Sequence, residues 1–300
     1  MRLSLMLLPL LPLAFAIRTA AADPLPVVAT TSVLEDLVKN VGGDKVAVKA
    51  LVGPDSDAHT YEPTPSDAKE ISAARVLVIN GLGLDGWLTR LMGSTGFTGT
   101  RVVATAGITP LTMQEEEGGR SKTVTDPHAW QSLKNGQTYV ANIAKGLAAA
   151  DPANAAVYRQ NADAYSARLG ALDAKIRAEL AEVPAPKRRV ITTHDAFQYY
   201  GKAYGVSFIA PIGLTTEEGE PSAADVAKLE RQIKQEKLRA LFLENISNSR
   251  LVEQLAHDTG AVVGPPLFSD ALSKPDEPAP TYIQMFEYNT ATLKAGMLKN

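Results

Sequence analysis

Residues 153–180 read ANAAVYRQNADAYSARLGALDAKIRAEL, and the fold turns on what this stretch does. Tyr158, Ala162, Tyr165, Leu169, Leu172, Ile176 and Leu180 follow one another at steps of three or four. That spacing places side chains on a single helical face. Asp151-Pro152 stands just ahead of it, a combination suited to a helix start. A coiled-coil seam is the competing reading, but the stripe is short for one and α/β patterns flank it on both sides. We read residues 151–182 as one rigid linking helix.

Working outward, short apolar runs alternate with helical patterns on either side. Before the helix, strands are expected at 26–31, 46–52, 75–80 and 101–104. A helix runs through Leu34, Leu37 and Val38 until Gly42-Gly43 stops it, and another starts at Thr64-Pro65-Ser66-Asp67, with proline in the first turn. After it, strands are expected at 189–193, 207–210, 238–244 and 261–263. Helices fall at 197–204, at 222–236 behind Pro221, at 250–259 and at 281–298. Alternation of this kind implies parallel sheets covered on both faces. The expected fold is α/β: an N-terminal lobe over 23–150, the linking helix, and a C-terminal lobe over 183–300. Residues 114–125 contain Glu115-Glu116-Glu117 and Gly118-Gly119 without apolar periodicity. They read as a mobile, solvated surface loop, with a weak metal-gathering flap as the alternative.

The first 22 residues stand apart. Arg2 precedes an apolar run over 3–17, and Thr19-Ala20-Ala21-Ala22 supplies small residues ahead of Asp23. This is the order of a secretory signal, expected to be cleaved after Ala22. The run is short for a membrane span and contains Pro9 and Pro12. Removing it takes Arg2 and Arg18 from the 30 basic residues and none of the 33 acids, leaving a net charge near −5. A nucleic-acid binder needs a basic footprint that this chain lacks. The sequence has no cysteine, which excludes disulfides, thiolate ligands, cysteine nucleophiles and a lipid carried on an N-terminal cysteine.

Four histidines remain as the residues with distinctive chemistry. His59 lies in Asp57-Ala58-His59-Thr60-Tyr61-Glu62-Pro63, His128 in Asp126-Pro127-His128-Ala129-Trp130, and His194 in Thr193-His194-Asp195-Ala196-Phe197. Each falls at the edge of an expected element, and loops at the carboxyl ends of parallel strands are the usual ligand position in open α/β sheets. Two precede the long helix and one follows it, so a shared site has to lie between the lobes. Imidazole suits zinc and its neighbours, and a carboxylate readily completes a tetrahedron. Asp270, in Ser269-Asp270-Ala271-Leu272, is the candidate from the second lobe. Taken singly, each histidine reads equally as a surface residue or a hydrogen-bonded cap, and no HExxH or CxxC spacing decides the matter. His257 lies off the apolar stripe of its helix, in the last turn, where a cation suits the helix dipole; we read it as a surface residue.

With these segments in view, the sequence resembles the zinc- and manganese-binding solute-binding proteins of ABC importers. The motifs span the chain from 23 onward: the His59 segment with Glu62-Pro63-Thr64-Pro65-Ser66-Asp67, Asn80-Gly81-Leu82-Gly83-Leu84-Asp85-Gly86-Trp87, and the His128 and His194 segments. Glu220-Pro221-Ser222, Leu243-Glu244 and Ser269-Asp270-Ala271-Leu272 complete them. The resemblance implies two lobes bridged by a long helix, and metal ligands at His59, His128, His194 and Asp270. Manganese-preferring members often carry glutamate at the third position. Histidine there points to Zn2+ as the bound and transported ion, with Mn2+ as the alternative, since three imidazoles suit zinc better than harder manganese.

Two departures matter. The segment 114–125 is short and lacks the histidine-rich loop of many zinc-specific members, and no cysteine begins the mature chain as it does in lipoprotein members. A free periplasmic protein is implied, with an inner-membrane ABC permease as partner; a monomer is the simpler expectation, and a periplasmic metallochaperone is an optional donor. Four protein ligands leave no open position for an activated water, so no enzymatic activity is expected. Two rival readings are a zinc hydrolase, with Asp270 displaced and Glu62 as base, and a receptor for an organic ligand such as a siderophore. Asp126 and Glu244 are candidates, with Glu62, for carboxylates that orient the ligands.

Overall fold

The computed structural model describes residues 23–117, 120–192, 194–209, 223–236, 238–246 and 249–300. The expectations for the signal at 1–22, for Gly118-Gly119, Thr193 and Ala210, and for the Glu220-Pro221-Ser222 motif lie outside these residues.

The first half runs β1 (Leu25–Thr31), α1 (Ser32–Gly42), β2 (Val46–Val52), α2 (Pro65–Ala73), β3 (Val76–Ile79), α3 (Leu88–Thr95) and β4 (Thr100–Val103). It continues through β5 (Thr112–Glu117), β6 (Arg120–Thr125) and α4 (Leu133–Ala150). The long helix is α5 (Ala155–Ala181). Beyond it come β7 (Arg189–Ile191), α6 (Gln198–Tyr204), β8 (Ser207–Ile209), α7 (Ala223–Glu236), β9 (Ala240–Leu241), α8 (Ser249–Thr259), β10 (Val262–Val263) and α9 (Tyr282–Met297). The strands form two four-stranded sheets, ordered β2-β1-β3-β4 and β10-β9-β7-β8. All pairings within both are parallel.

Local chemistry fixes the elements. Thr31 caps α1 by accepting from the Leu34 amide at 3.3 Å, and Gly43, at φ +55°, ends it in a conformation other residues adopt at a cost. α2 begins with a capping box in which Thr64 and Asp67 satisfy each other's amides, with Pro65 in the first turn. On α5, Tyr158, Ala162, Tyr165, Leu169, Leu172, Ile176 and Leu180 are the buried residues, the stripe read in the sequence. That face packs on α1 and α4 from the first half and on α6 and α9 from the second. One hydrophobic core therefore runs through both lobes and the helix, from Val27 and Leu77 through Leu169 to Tyr200 and Phe286. A smaller cluster around Ile191, Ile233, Leu241 and Leu255 backs the second sheet. Among the described residues no helix is long and apolar enough to cross a membrane.

Three expectations need correction. Residues 114–125 are not a structureless loop: β5 and β6 pair antiparallel with Thr112 opposite Thr125 and Glu117 opposite Arg120. The ribbon escaped notice because it buries little: Met113 is buried while Thr112 and Gln114 beside it are exposed, so no run of alternating apolar residues announces a strand. α4 is an element beyond those expected. Its buried Tyr139, Val140, Ile143, Ala144 and Leu147 are interleaved with Gly136 and Gly146 and with alanines, which dilute the periodic signal. Finally, the strands expected at 238–244 and 261–263 shorten to two residues each.

Candidate metal centre

Each candidate side chain is held by its own local device. The loop after β2 carries His59. There Asp57 accepts from the His59 amide through Oδ1 (2.8 Å) and from the Thr60 hydroxyl through Oδ2 (3.1 Å), an Asx turn that sets the backbone direction at His59. Trp87 secures the same loop by donating Nε1–H to the Ala58 carbonyl at 3.1 Å. His128 follows β6. Asp126 Oδ1 lies 2.9 Å from its amide and 2.8 Å from its Nδ1. His194 follows β7, and Glu244 holds it in the same two-point manner: Oε1 accepts from the amide at 2.9 Å and Oε2 lies 2.6 Å from Nδ1. Asp270 sits in a turn whose Ser269 carbonyl accepts from Trp130 Nε1 (2.8 Å) and Gln131 Nε2 (2.7 Å), which ties it to the turn that follows His128.

These devices bring four residues from both sheets to one point. A ligand atom of each of His59, His128, His194 and Asp270 lies within 4.8 Å of the others. His59 Nε2 is 3.1 Å from His128 Nε2 and 3.2 Å from Asp270 Oδ2. His194 Nε2 is 3.2 Å from Asp270 Oδ2, and His128 Nε2 is 3.6 Å from Asp270 Oδ1. Bonds of about 2.0–2.1 Å to a tetrahedral ion place ligand atoms roughly 3.3 Å apart, so these four separations are compatible with an ion held between the groups.

The electrostatics point the same way. A carboxylate can only accept, so Asp126 and Glu244 keep the proton of each partner imidazole on Nδ1 and leave the Nε2 lone pair facing Asp270. Asp126, Glu244 and Asp270 are all buried. Once the imidazoles give up their protons, as metal binding requires, these charges stand uncompensated, a costly arrangement in the interior that a dication relieves. Burial alone pushes the Asp270 carboxyl up, but the His194 and His128 imidazoles outweigh it and hold the group well below the usual range. Burial pushes His194 down; the Glu244 and then Asp270 charges outweigh it and raise the imidazole well above its ordinary value. Neither oxygen of Asp270 has a well-formed hydrogen bond among the described residues; imidazole nitrogens are what face them.

The remaining sequence candidates divide. Asp126 and Glu244 contact the candidate ligands His128 and His194, whereas Glu62 is exposed on its loop. His257 is 87% exposed and pairs with Asp258 at 2.9 Å. Asp57, Trp87, Trp130 and Gln131 were not singled out beforehand. Asp57 carries a local signal as an Asx residue two positions before a candidate ligand, Trp87 and Trp130 lie within the quoted motifs, and Gln131 has none.

Comparison with known proteins adds the family context. The profile of the family described as the zinc-uptake complex component A, periplasmic (ZnuA), matches residues 27–296. The iron ABC transporter substrate-binding lipoprotein MtsA of Streptococcus pyogenes serotype M1 is 34% identical over 290 residues, covering 94% of this chain and 92% of the relative. The manganese ABC transporter substrate-binding lipoprotein PsaA of Streptococcus anginosus is 32% identical over 287 residues, covering 93% and 91%. Among solved structures, the periplasmic zinc-binding protein TroA of Treponema pallidum superimposes with a TM-score of 0.82 at 31% identity, covering 92% of this chain and 99% of that one.

Proposed function

Because this chain belongs to the family of periplasmic zinc-uptake component A, the metal-binding substrate-binding proteins of ABC importers, we propose that it captures one Zn2+ at His59, His128, His194 and Asp270 and delivers it to a membrane permease. The convergence of three imidazoles and one carboxylate within 4.8 Å carries the reading. Zinc is favoured over manganese because nitrogen-rich, four-coordinate shells suit a borderline-soft ion. Four protein donors also leave no coordination position for a reacting water, which fits carriage rather than catalysis.

A second reading, manganese or ferrous iron, rests on one observation: both oxygens of Asp270 face the cluster, Oδ1 toward His128 and Oδ2 toward His59 and His194. A bidentate carboxylate raises the coordination number toward what harder ions prefer. The iron and manganese relatives keep this reading in play.

On this proposal the lobes 23–150 and 183–300, joined by 151–182, work as a periplasmic monomer after signal removal at Ala22. The core shared through α5 restricts them to small shifts on loading. The deciding experiment is elemental analysis of protein purified without added metal, beside competition titrations of wild type and His194→Ala. Zinc is expected in the purified protein, with a large loss of affinity in the variant. Equal zinc and manganese affinities overturn the choice of ion, and an unaffected variant overturns the site.

A further inference from the structure

We infer that Asp55 is a positioning residue that governs metal release, acting as a clasp between the lobes across the mouth of the centre. The inference rests on the metal-capture reading above. Asp55 lies in the loop between β2 and α2, four residues before His59. From there it reaches the opposite lobe three times. Its amide donates to the Leu272 carbonyl at 3.0 Å, its Oδ1 accepts from Asn245 Nδ2 at 3.0 Å, and its Oδ2 lies 3.6 Å from Lys274 Nζ. Leu272 is two residues beyond Asp270, and Asn245 directly follows Glu244, the partner of His194. The clasp therefore joins the segment that carries His59 in the first lobe to the Asp270 segment of the second and to the segment that carries Glu244, the partner of His194.

Two further observations place it on the exit route. His59 has the most exposed side chain of the four, 12%, against 0% for His128, 4% for His194 and 0% for Asp270. An ion leaving the centre passes the His59 loop, and Asp55 pins that loop. Asp55 also holds a positive φ of 52°. Aspartate tolerates this left-handed conformation better than most residues but still prefers to leave it, and here the interlobe contacts hold it in place. A separate interlobe bond on the inner side, from the Leu272 amide to Ser32 Oγ at 3.0 Å, is buried. Loss of Asp55 thus loosens the outer edge of the lobe contact and leaves its inner side joined.

The test is zinc release into excess chelator, followed by stopped flow, with zinc uptake measured on the same samples. Asp55→Gly keeps the backbone conformation and the amide donor but deletes both side-chain contacts. It is expected to release zinc about tenfold faster, the worth of a part-exposed hydrogen bond to a charged group, with uptake little changed. Asp55→Asn retains an oxygen for Asn245 and is expected to restore release to within about threefold of wild type, the exposed Lys274 pair contributing little. Asn245→Ala cuts the same bond from the other lobe and should match Asp55→Gly, so the question stays answerable if one variant folds poorly. A merely structural role would lower the melting temperature of the metal-free protein and leave the release rate untouched. Release unchanged in Asp55→Gly or Asn245→Ala, or equally fast in Asp55→Asn and Asp55→Gly, overturns the clasp and leaves the centre standing. Failure of the wild-type protein to bind zinc overturns the metal-capture reading, and the clasp with it.

Discussion

Replacing Glu244 by glutamine removes the buried charge behind His194 while keeping the side chain's volume. Glu244 is fully buried, accepts from the His194 amide at 2.9 Å and lies 2.6 Å from His194 Nδ1. Glutamine fits the same space, but its single carbonyl oxygen can accept from Nδ1 or from the His194 amide and not from both, so one buried negative charge is lost together with one of the two hydrogen bonds. Partners of this kind are worth about 10- to 100-fold in metal affinity, or roughly 1.4–2.7 kcal/mol. At saturating zinc that loss passes directly into stability. For a protein of this size, the melting temperature of the loaded form should fall by roughly 3–10 °C. The pH dependence supplies a sharper check. In the metal-free protein Glu244 is the largest influence raising His194, so wild-type affinity falls as pH drops through that raised value and a proton competes for the ring. Without the charge, His194 loses its proton more readily and the fall begins at lower pH. The affinity gap between variant and wild type should therefore be widest at high pH and narrow on acidification. Isothermal titration with a competing chelator across pH 5.5–8.5 measures both effects. An unchanged affinity, or a gap that widens at low pH, refutes the assignment of Glu244 as the charge behind His194.

Other outcomes follow from the same coordinates. Stability of the metal-free protein should show two opposed pH dependences. The depressed Asp270 carboxyl contributes stability above its unfolded pKa, lost as pH falls through the lower folded value; the raised His194 contributes below the ordinary histidine value and fades as pH rises through its folded one. Denaturant titrations of chelator-stripped protein across that range should find a maximum between the two limits, and a monotonic profile would contradict the pairing. Asp36→Ala removes the carboxylate that accepts from the Tyr282 amide at 2.9 Å where α1 meets α9. It should cost about 1–3 kcal/mol by calorimetry, toward the lower end because Thr281 still caps that helix. Leu169→Ala, at the fully buried middle of α5, should cost about 2–5 kcal/mol in chemical denaturation, and a loss below 1 kcal/mol would mean the helix is not part of the shared core.

The long helix, the alternation of strands and helices around it and the caps at Thr31 and Thr64 are local matters. Each depends on residues within a few positions of one another, so periodicity and turn chemistry determine them without reference to the rest of the chain. The four candidate ligands could be named in the sequence for their chemical type and for their resemblance to a family's motifs. Their meeting could not, because His59 and Asp270 are more than two hundred residues apart and nothing local measures that distance. Tertiary structure decided it, through the core that α5 shares with both lobes and through Trp130 and Gln131, which bind the Asp270 turn to the His128 turn. The hairpin at β5 and β6 and the two-residue strands β9 and β10 also waited on the fold. β5 and β6 pair with each other but lack an alternating apolar run, while β9 and β10 are too short to show a period and are held by backbone pairing with strands well separated from them in the chain. The Asp55 clasp belongs with them, since an aspartate in a loop shows its purpose only once the opposite lobe supplies Asn245, Leu272 and Lys274.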